Sequence, residues 1–292
     1  MKAAFQGVHG AYSEVAARTL LGKHTATMPC DQFSDVFNAV ESGRASCGIV
    51  PIENSLAGSI HQNYDLLLAH NLHIIGEFHL RIEHVLAAHP TATVRSLRLV
   101  RSHPQALAQC SKFLERHPHL HPEAYFDTAG AALSIKESGA RDIAAIASSY
   151  AAELYGLTIL RRNLENERHN FTRFLMISRK PWRPKRRVAC KCSIAFRPVT
   201  NIPGILFRIL GVFSLRDIDL LKIESRPDPR SPFEYLFYID LAGSPRDARV
   251  TKALDHLQEV VTEYRLLGVY PMGKGTMYGT TGGSATLRIK NS

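Results

Sequence analysis

The chain has 292 residues, a length that suits one large domain or two ordinary ones. Hydrophobic residues make up 45% and charged residues 21%, which is typical of a globular protein with a sizeable core. No apolar run approaches the ~20 residues that a membrane-spanning helix needs, so we expect no membrane partner. The formal net charge of +10 favours an anionic small substrate.

The basic excess is concentrated between residues 179 and 187, where prolines interrupt the chain. No aromatic residues alternate with these cations, as they do on an RNA-binding sheet, so a solvated linker is favoured over a nucleic-acid site. The N-terminus lacks the apolar core and cleavage site of a signal peptide, and it shows no plastid transit segment. These features predict a cytoplasmic protein.

The cysteines and histidines give little support to a metal site. The cysteines are odd in number and have no Cys-x-x-Cys spacing, so reduced thiols are expected at Cys30, Cys47, Cys110, Cys190 and Cys192. Three of the 14 histidines lie among prolines, at 117, 119 and 121, and not on one helix face. We therefore expect no metal.

Residues 1–178 alternate short apolar strands with amphipathic helices. Strands are predicted at 2–6, 45–50, 143–147 and 174–177, and residues 78–83 alternate apolar and polar side chains. Helices are predicted between Ser13 and Gly22, Asp127 and Gly139, and Ser148 and Gly156, and over 105–116 after Pro104. This alternation predicts a doubly wound α/β region.

A second unit follows the linker at 179–188. Its predicted order is strand 189–196, helix 202–215, strands 219–225 and 233–241, helix 245–264 and strand 266–271. This is the βαββαβ order of a ferredoxin-like domain over residues 189–272. The tail at 273–292 is rich in glycine and threonine and is predicted to be disordered.

Residues 170–174 place a hydroxyl, a permanent cation and an aromatic side chain in succession, at Thr172, Arg173 and Phe174. A guanidinium matches the geometry of a carboxylate, and a neighbouring hydroxyl can give or share a proton. By itself the pentapeptide is weak, because Arg173 could be a surface cation.

Three further stretches each allow a simple structural interpretation. Residues 47–55 run from an apolar strand into polar residues, at the end of a strand where α/β proteins bind ligands, although Asn54 and Ser55 could only cap a turn. In residues 102–110, Ser102 can cap a helix, and Gln105 and Gln109 share one helix face. Residues 127–129 read most simply as a helix N-cap.

Taken together, these stretches and residues 10–13 resemble those of the prephenate dehydratase family, in its order and at its approximate spacings. The resemblance runs from Phe5 to about Met272. The last unit resembles the ACT regulatory domain, and Glu224, Ser225, Arg226 and Pro227 match the family's phenylalanine-sensing motif.

The resemblance implies a two-lobed, periplasmic-binding-protein-like catalytic region with its active site in the cleft between the lobes, followed by the ACT domain. It implies conversion of prephenate to phenylpyruvate without a cofactor, and feedback inhibition by L-phenylalanine in a homodimer or homotetramer. Thr172 would be the central catalytic residue, with Asn54, Ser102 and Gln109 around the substrate. Further substrate contacts are expected from Glu53, Ser55, Thr128, Arg173 and Phe174. The effector site would include Asn201, Gly204, Ile205, Leu206, Glu224, Ser225 and Arg226.

The chemistry of prephenate suggests roles for these groups. Loss of carbon dioxide and water makes the ring aromatic, so no electron sink is needed, but the leaving hydroxyl needs a proton donor. Thr172 is the predicted donor, polarised by neighbours or acting as a relay. Arg173 is expected to anchor the side-chain carboxylate or to hold the loop.

Residues 204–207 are bulkier than the Gly-Ala-Leu-Val usual in the family, which leaves the effector's identity and affinity open. His9, before Gly10, and residues 164–167 also depart from the family's pattern. The nearest alternative activity is that of an arogenate dehydratase, which performs the same chemistry on an amino-group analogue. A non-catalytic amino-acid sensor is a further alternative.

Overall fold

The computed structural model describes residues 1–184, 188–199, 202–228, 231 and 234–273. Three groups of predicted features lie outside the described residues: Lys185, Arg186 and Arg187 of the linker, Asn201 of the effector site, and residues 274–292 of the tail.

The first 178 residues alternate strands and helices, as the sequence predicts. The strands are β1 (Lys2–Gln6), β2 (Ala26–Cys30), β3 (Cys47–Asn54), β4 (Gly58–Ser59), β5 (His73–Arg81), β6 (Val85–Ala88), β7 (Leu99–Ser102), β8 (His121–Ala124), β9 (Ile143–Ala147), β10 (Thr158–Arg162) and β11 (Phe171–Ser178). The helices are α1 (Tyr12–Leu21), α2 (Phe33–Glu41), α3 (His61–Ala69), α4 (Pro104–Gln109), α5 (Ser111–Glu115), α6 (Thr128–Ser138) and α7 (Ser149–Leu154).

These strands form two sheets. The first has the order β2-β1-β3-β11-β5, with β4 paired to β3, and the second has the order β10-β6-β9-β7-β8. Each sheet contains parallel pairs, such as β1 with β3 and β7 with β9, which need helical crossovers between them. The second sheet also has antiparallel pairs, β6 with β9 and β6 with β10, so it is mixed.

Several predicted boundaries are confirmed by local chemistry. Helix α6 begins after Asp127, whose carboxylate accepts the backbone N–H of Gly130, and ends at Gly139, which adopts the left-handed conformation that favours glycine. Ser148 caps α7 in the same way. The predicted helix 105–116 is instead two short helices, α4 and α5, which meet at Cys110.

The remaining elements follow the predicted βαββαβ order. They are β12 (Cys190–Pro198), α8 (Ile205–Ser214), β13 (Leu220–Pro227), β14 (Tyr235–Ala242), α9 (Ala248–Glu259) and β15 (Val261–Pro271). The strands form an antiparallel sheet in the order β13-β14-β12-β15, and its core includes Phe196, Phe213 and Leu257. The predicted last helix ends earlier, because β15 already begins at Val261, where it pairs with β12.

The chain divides into two compact units that do not follow the predicted boundary near residue 178. The first unit contains Met1–Ile60 and Phe78–Phe174, and the second contains His61–Glu77 and the described residues from Leu175 onward. Helix α3 and the first half of β5 therefore group with the C-terminal domain. As a division of function, the predicted limits 1–178, 179–188 and 189–272 stay a prediction.

In the second unit, close contacts explain why residues 61–77 group with the C-terminal sheet. A Cβ at Gly268 of β15 would clash with the backbone oxygen of Ile74 in β5, so the two strands approach more closely than any side chain allows. The buried Lys191 ammonium donates to the Glu77 carboxylate at 2.9 Å. The Tyr238 hydroxyl donates to the backbone oxygen of Tyr64 at 3.1 Å.

Candidate active site

A cavity of about 220 Å³ lies in the first unit, where motifs that are far apart in the sequence meet. Five of the predicted site residues line it: Asn54, Gln109, Thr128, Thr172 and Phe174. Asn54 lies at the end of β3 and Thr172 near the start of β11, whereas Gln109 ends α4 and Thr128 begins α6. The two sheets therefore contribute opposite walls of one site.

Thr172 receives a hydrogen bond from Asn54. The Nδ2 atom of Asn54 lies 3.0 Å from the Thr172 hydroxyl oxygen and 2.7 Å from Oδ1 of Asn170. An amide nitrogen can only donate, so the threonine oxygen is the acceptor and its own hydrogen points elsewhere. Among the residues that the structure describes, no acceptor for that hydrogen is found, which leaves it available to a ligand in the cavity.

The hydrogen bonds continue from Asn170 to the opposite wall. Asn170 donates from Nδ2 to Oε1 of Gln109 at 3.0 Å, and the same oxygen lies 3.1 Å from Nε2 of His84. The other ring nitrogen of His84 lies 2.9 Å from the Tyr12 hydroxyl oxygen, and the hydroxyl donates to the Glu83 backbone oxygen at 2.7 Å. The chain of contacts thus spans the site from β11 to α1.

His84 is a cavity residue that the sequence analysis did not select, whereas Tyr12 belongs to the motif at residues 10–13 but was given no role in the site. His84 follows the alternating segment 78–83, and a lone histidine at a strand end gives no signal without the fold. Burial lowers the pKa of His84, although hydrogen bonding to Gln109 and the charge of Glu165 partly oppose this shift. The imidazole is therefore neutral at neutral pH.

Four predicted residues do not line this cavity. Arg173 is buried in β11, and its neighbours Thr172 and Phe174 line the cavity, so strand alternation directs Arg173 to the opposite face. Ser55 is exposed and donates to the backbone oxygen of His169 at 2.9 Å. Glu53 precedes Asn54 in β3 and is also absent from the wall.

Ser102 is the fourth of these residues. It is fully buried, and its hydroxyl donates to the backbone oxygen of Ile146 at 2.6 Å, which joins β7 to β9. The predicted capping role belongs instead to His103, whose Nδ1 accepts the backbone N–H of Gln105 at 3.2 Å. Ser102 lies one position before the N-cap of α4, and its side chain is placed inside the sheet.

The cavity wall offers mostly neutral hydrogen-bonding groups. Among the lining residues that the structure describes there is no lysine or arginine, and the one carboxylate is that of Asp127. Helices α1 and α6 both begin at the wall, at Tyr12 and Thr128. The backbone N–H groups and positive dipole ends of both helices favour an anionic ligand, but at α6 the Asp127 carboxylate already accepts the Gly130 N–H and offsets part of the dipole.

The predicted effector residues lie in the second unit. Gly204 precedes α8 with φ of 80°, a left-handed conformation that favours glycine, and Ile205 and Leu206 form the first turn of that helix. Glu224 and Arg226 share one face of β13, whereas Ser225 points to the other face and is exposed. Arg226 forms an ion pair with Asp65 of α3 at 2.7 Å, and Glu224 lies 3.2 Å from His61.

The described residues hold neither a metal-binding cluster nor a membrane-spanning helix. No group of three or more histidine, cysteine, aspartate or glutamate side chains could hold a metal ion in that part of the chain. The five cysteines are all buried and free. Within the same ranges, no helix combines the length and apolarity needed to cross a membrane.

The fold is that of a two-lobed, periplasmic-binding-protein-like region followed by an ACT domain. The prephenate dehydratase model matches residues 3–182, and the ACT domain model matches residues 199–257. The chain belongs to the prephenate dehydratase family, which carries dehydratase (lyase) chemistry in phenylalanine biosynthesis.

Three proteins are similar to this chain over most of its length. Arogenate dehydratase/prephenate dehydratase 2 of Arabidopsis thaliana is 46% identical over 281 residues, 93% of this chain and 73% of that protein. A prephenate dehydratase from Arthrobacter aurescens in complex with L-Phe has a TM-score of 0.86 at 30% identity, covering 93% and 90% of the two chains. GqqA, described as a novel type of quorum-quenching acylase, has a TM-score of 0.85 at 37% identity, covering 93% and 98%.

The prediction of a cytoplasmic protein is contradicted by these relatives. The Arabidopsis thaliana protein is described as chloroplastic, as are two further relatives from that plant at 45% identity. The prediction depended on the residues at the N-terminus of the sequence and not on the fold.

Proposed function

We propose that this protein converts prephenate to phenylpyruvate by coupled loss of carbon dioxide and water, under feedback control by L-phenylalanine. The observation that carries the proposal is the Thr172 hydroxyl, which accepts from Asn54 and keeps its own hydrogen for the cavity. A group in this state is a hydrogen-bond donor aimed at the ligand, which the departing ring hydroxyl requires.

The neutral wall suits a decarboxylation. The carboxylate that leaves must lose its negative charge as carbon dioxide forms, and a tight ion pair would stabilise the ground state more than the transition state. Asn54 and Gln109, with the N-termini of α1 and α6, would hold the substrate through neutral donors. Thr128 and Phe174 would add polar and apolar contacts.

The predicted residues outside the cavity keep supporting roles in this proposal. The ends of β3 and β11, which carry Asn54 and Thr172, would be held in place by Arg173, Glu53 and Ser55. For Arg173 this is the second of the two predicted roles, that of holding the loop. Ser102 would fix β7 against β9 beneath α4 through its bond to Ile146. Substitutions at these residues are therefore expected to lower both the stability of the protein and kcat.

The proposed effector site consists of the first turn of α8 and the motif at 224–227. The L-Phe complex of the Arthrobacter aurescens relative supports phenylalanine as the effector class. Strand β13 is an edge of its sheet, and nearby apolar side chains are exposed, including Phe207, Leu221 and Ile223. A second copy covering this edge would give the proposed homodimer, or a homotetramer built from it.

Arogenate is the second candidate substrate, because several relatives are named arogenate dehydratases, one of them from Petunia hybrida at 44% identity. An acylase activity like that described for GqqA is not favoured by the geometry. A nucleophilic threonine needs a base within hydrogen-bonding distance of its hydroxyl hydrogen, whereas the partner of Thr172 is a donor.

The deciding experiment is to incubate the purified protein at neutral pH with prephenate or with arogenate, each with and without phenylalanine. Neutral pH is needed because prephenate aromatises unaided in acid. Phenylpyruvate formation that phenylalanine suppresses is the expected result. Turnover of arogenate alone would move the assignment to the second candidate, and turnover of neither would leave a non-catalytic amino-acid sensor.

A further inference from the structure

The hydrogen-bond chain across the cavity has a direction that is fixed at its backbone end. Oδ1 of Asn54 accepts the backbone N–H groups of Leu56 at 3.0 Å and Ala57 at 2.9 Å. A backbone N–H can only donate, so the oxygen of this amide must lie on that side. The amide nitrogen of Asn54 consequently faces Asn170 and Thr172.

This orientation propagates through two more amides. Because Asn54 presents a donor, Asn170 must turn Oδ1 toward it, at 2.7 Å, and its Nδ2 toward Gln109. Gln109 must then turn Oε1 toward Asn170, at 3.0 Å, and the same oxygen faces His84 at 3.1 Å. No amide in this series can be reversed without opposing two donors or two acceptors inside a buried site.

We propose that His84 is a positioning residue for the dehydratase reaction, and that it acts as the neutral tautomer whose Nε2–H donates to Gln109. The inference rests on the proposed function of Thr172, because Asn54, the first amide of the series, also donates to that hydroxyl. His84 fixes the far end of the series, and the Leu56 and Ala57 N–H groups fix the near end. Between them the Thr172 oxygen is held as an acceptor.

Both ring nitrogens of His84 are used within the protein. With the proton on Nε2, Nδ1 is an acceptor, and the single hydrogen of the Tyr12 hydroxyl is shared between Nδ1 at 2.9 Å and the Glu83 backbone oxygen at 2.7 Å. The backbone N–H of His84 donates to the buried Glu165 carboxylate at 3.0 Å, which fixes the backbone at this position. The imidazole therefore acts through Gln109 and not as a proton shuttle to substrate.

The surroundings keep the imidazole neutral. The groups that act on the ring are the Tyr12 hydroxyl of α1, the Gln109 amide at the end of α4 and the carboxylate of Glu165, which Arg81 approaches at 3.8 Å. Burial outweighs the pull of Glu165 and lowers the pKa of His84. Protonation would add a hydrogen to Nδ1, and Tyr12 could then donate to Glu83 alone, so the Nε2–H bond would survive in either state.

The first test is spectroscopic and independent of catalysis. Long-range proton–nitrogen correlations of histidine ring signals, in the full-length protein labelled with nitrogen-15, report which ring nitrogen carries the proton. We expect the His84 signals, assigned by their loss in His84→Gln, to be those of a protonated Nε2 and a bare Nδ1 at neutral pH. A proton on Nδ1 alone would overturn the proposal whatever the substrate is.

The second test compares two replacements that each keep one half of the imidazole's bonding. Glutamine places an amide near the Nε2 position and can still donate to Gln109, whereas asparagine reaches only the Nδ1 position beside Tyr12. We expect His84→Asn to lower kcat about tenfold more than His84→Gln, with KM changed less than kcat. Equal losses in the two variants would mean that His84 only fills space.

A third comparison separates positioning from general damage. Since His84 acts through Gln109, His84→Asn should cost little further rate in a Gln109→Met background. Additive losses would show that His84 acts without Gln109, and the proposal would fail. If the wild-type protein turns over neither substrate, the proposed function fails, and the tautomer measurement still decides the hydrogen-bond direction.

Discussion

Arg226, in the motif predicted to sense phenylalanine, donates to the carboxylate of Asp65 in α3 with an Nη2–Oδ2 distance of 2.7 Å. Helix α3 follows Asn54 by seven positions in the sequence, since it begins at His61 directly after Ile60, which lines the catalytic cavity. The ion pair thus joins the proposed effector motif to a helix that continues from a catalytic segment.

We expect Asp65→Asn to change phenylalanine inhibition more than catalysis. The pair is partly exposed, so its loss is worth about 1 kcal/mol or less, equivalent to a change of up to about fivefold in an equilibrium. Inhibition curves for wild type, Asp65→Asn and the control Asp142→Asn, an exposed aspartate of the first unit, measure the effect. An Asp65→Asn inhibition curve that overlays the control curve would mean that this ion pair plays no part in regulation.

Replacing the Thr172 hydroxyl should abolish most turnover. Thr172→Val keeps the side-chain volume and removes the donor, so kcat should fall by about 10²–10⁴, the usual contribution of a general acid. Thr172→Ser keeps the hydroxyl and should recover part of the loss. Steady-state kinetics measure both variants, and thermal melting checks that neither is unfolded. An unchanged kcat in Thr172→Val would remove Thr172 from the mechanism.

Ser102→Ala should affect stability first. Its hydroxyl donates to the buried backbone oxygen of Ile146, and the lost bond leaves that acceptor unsatisfied at a cost of about 1–3 kcal/mol. Urea unfolding monitors the free energy, and the kcat loss should stay smaller than that of Thr172→Val. A stable variant with a severe loss of kcat would instead indicate that Ser102 contacts the substrate directly.

Glu14 gives the fold a defined acid sensitivity. Burial alone disfavours the carboxylate, but hydrogen bonds from the Gly10 backbone N–H, Thr27, Arg18 and His9 outweigh it and lower the pKa. A lowered folded-state pKa means that the stabilisation is present above the unfolded-state value and is lost as pH falls through the folded-state value.

The free energy of unfolding should be measured from neutral pH down to a pH below the ordinary pKa of a carboxyl group. As the pH falls, this free energy should decrease less steeply in Glu14→Gln than in wild type. The exposed Glu115→Gln variant is the control and should follow wild type. Parallel curves for wild type and Glu14→Gln would contradict the lowered pKa.

Gly268→Ala should disrupt the second unit. The new Cβ would clash with the backbone oxygen of Ile74 and lie 2.8 Å from its nitrogen, and backbone atoms cannot move aside as a flexible side chain can. Overpacking of this kind costs about 1–3 kcal/mol. Gly211→Ala is the matched control, since its Cβ meets nothing within 4 Å in helix α8, and it should be neutral or slightly stabilising. Equal melting temperatures for the two variants would mean that the close approach is absent.

The sequence predicted local elements most accurately where local chemistry decides them. Asp127 and Gly139 bound α6 through a side-chain cap and a left-handed residue, and both signals are readable in the chain. The helix predicted over 245–264 failed at its end, since Val261 joins a strand that only pairing with β12 makes favourable. The same limit applies to the site residues. Motif spacing identified Asn54, Gln109 and Thr172, but it could not show which way each side chain points.

The sequence by itself determined the family, the βαββαβ order of the second domain and five of the residues that line the cavity, because these follow from motifs and hydrophobic periodicity along the chain. Tertiary structure alone decided that Arg173 lies off the cavity wall, that Ser102 bonds within its sheet and that α3 joins the C-terminal unit. It alone brought His84 to Gln109. Each of these depends on contacts between segments far apart in sequence, and such contacts leave no local pattern in the sequence.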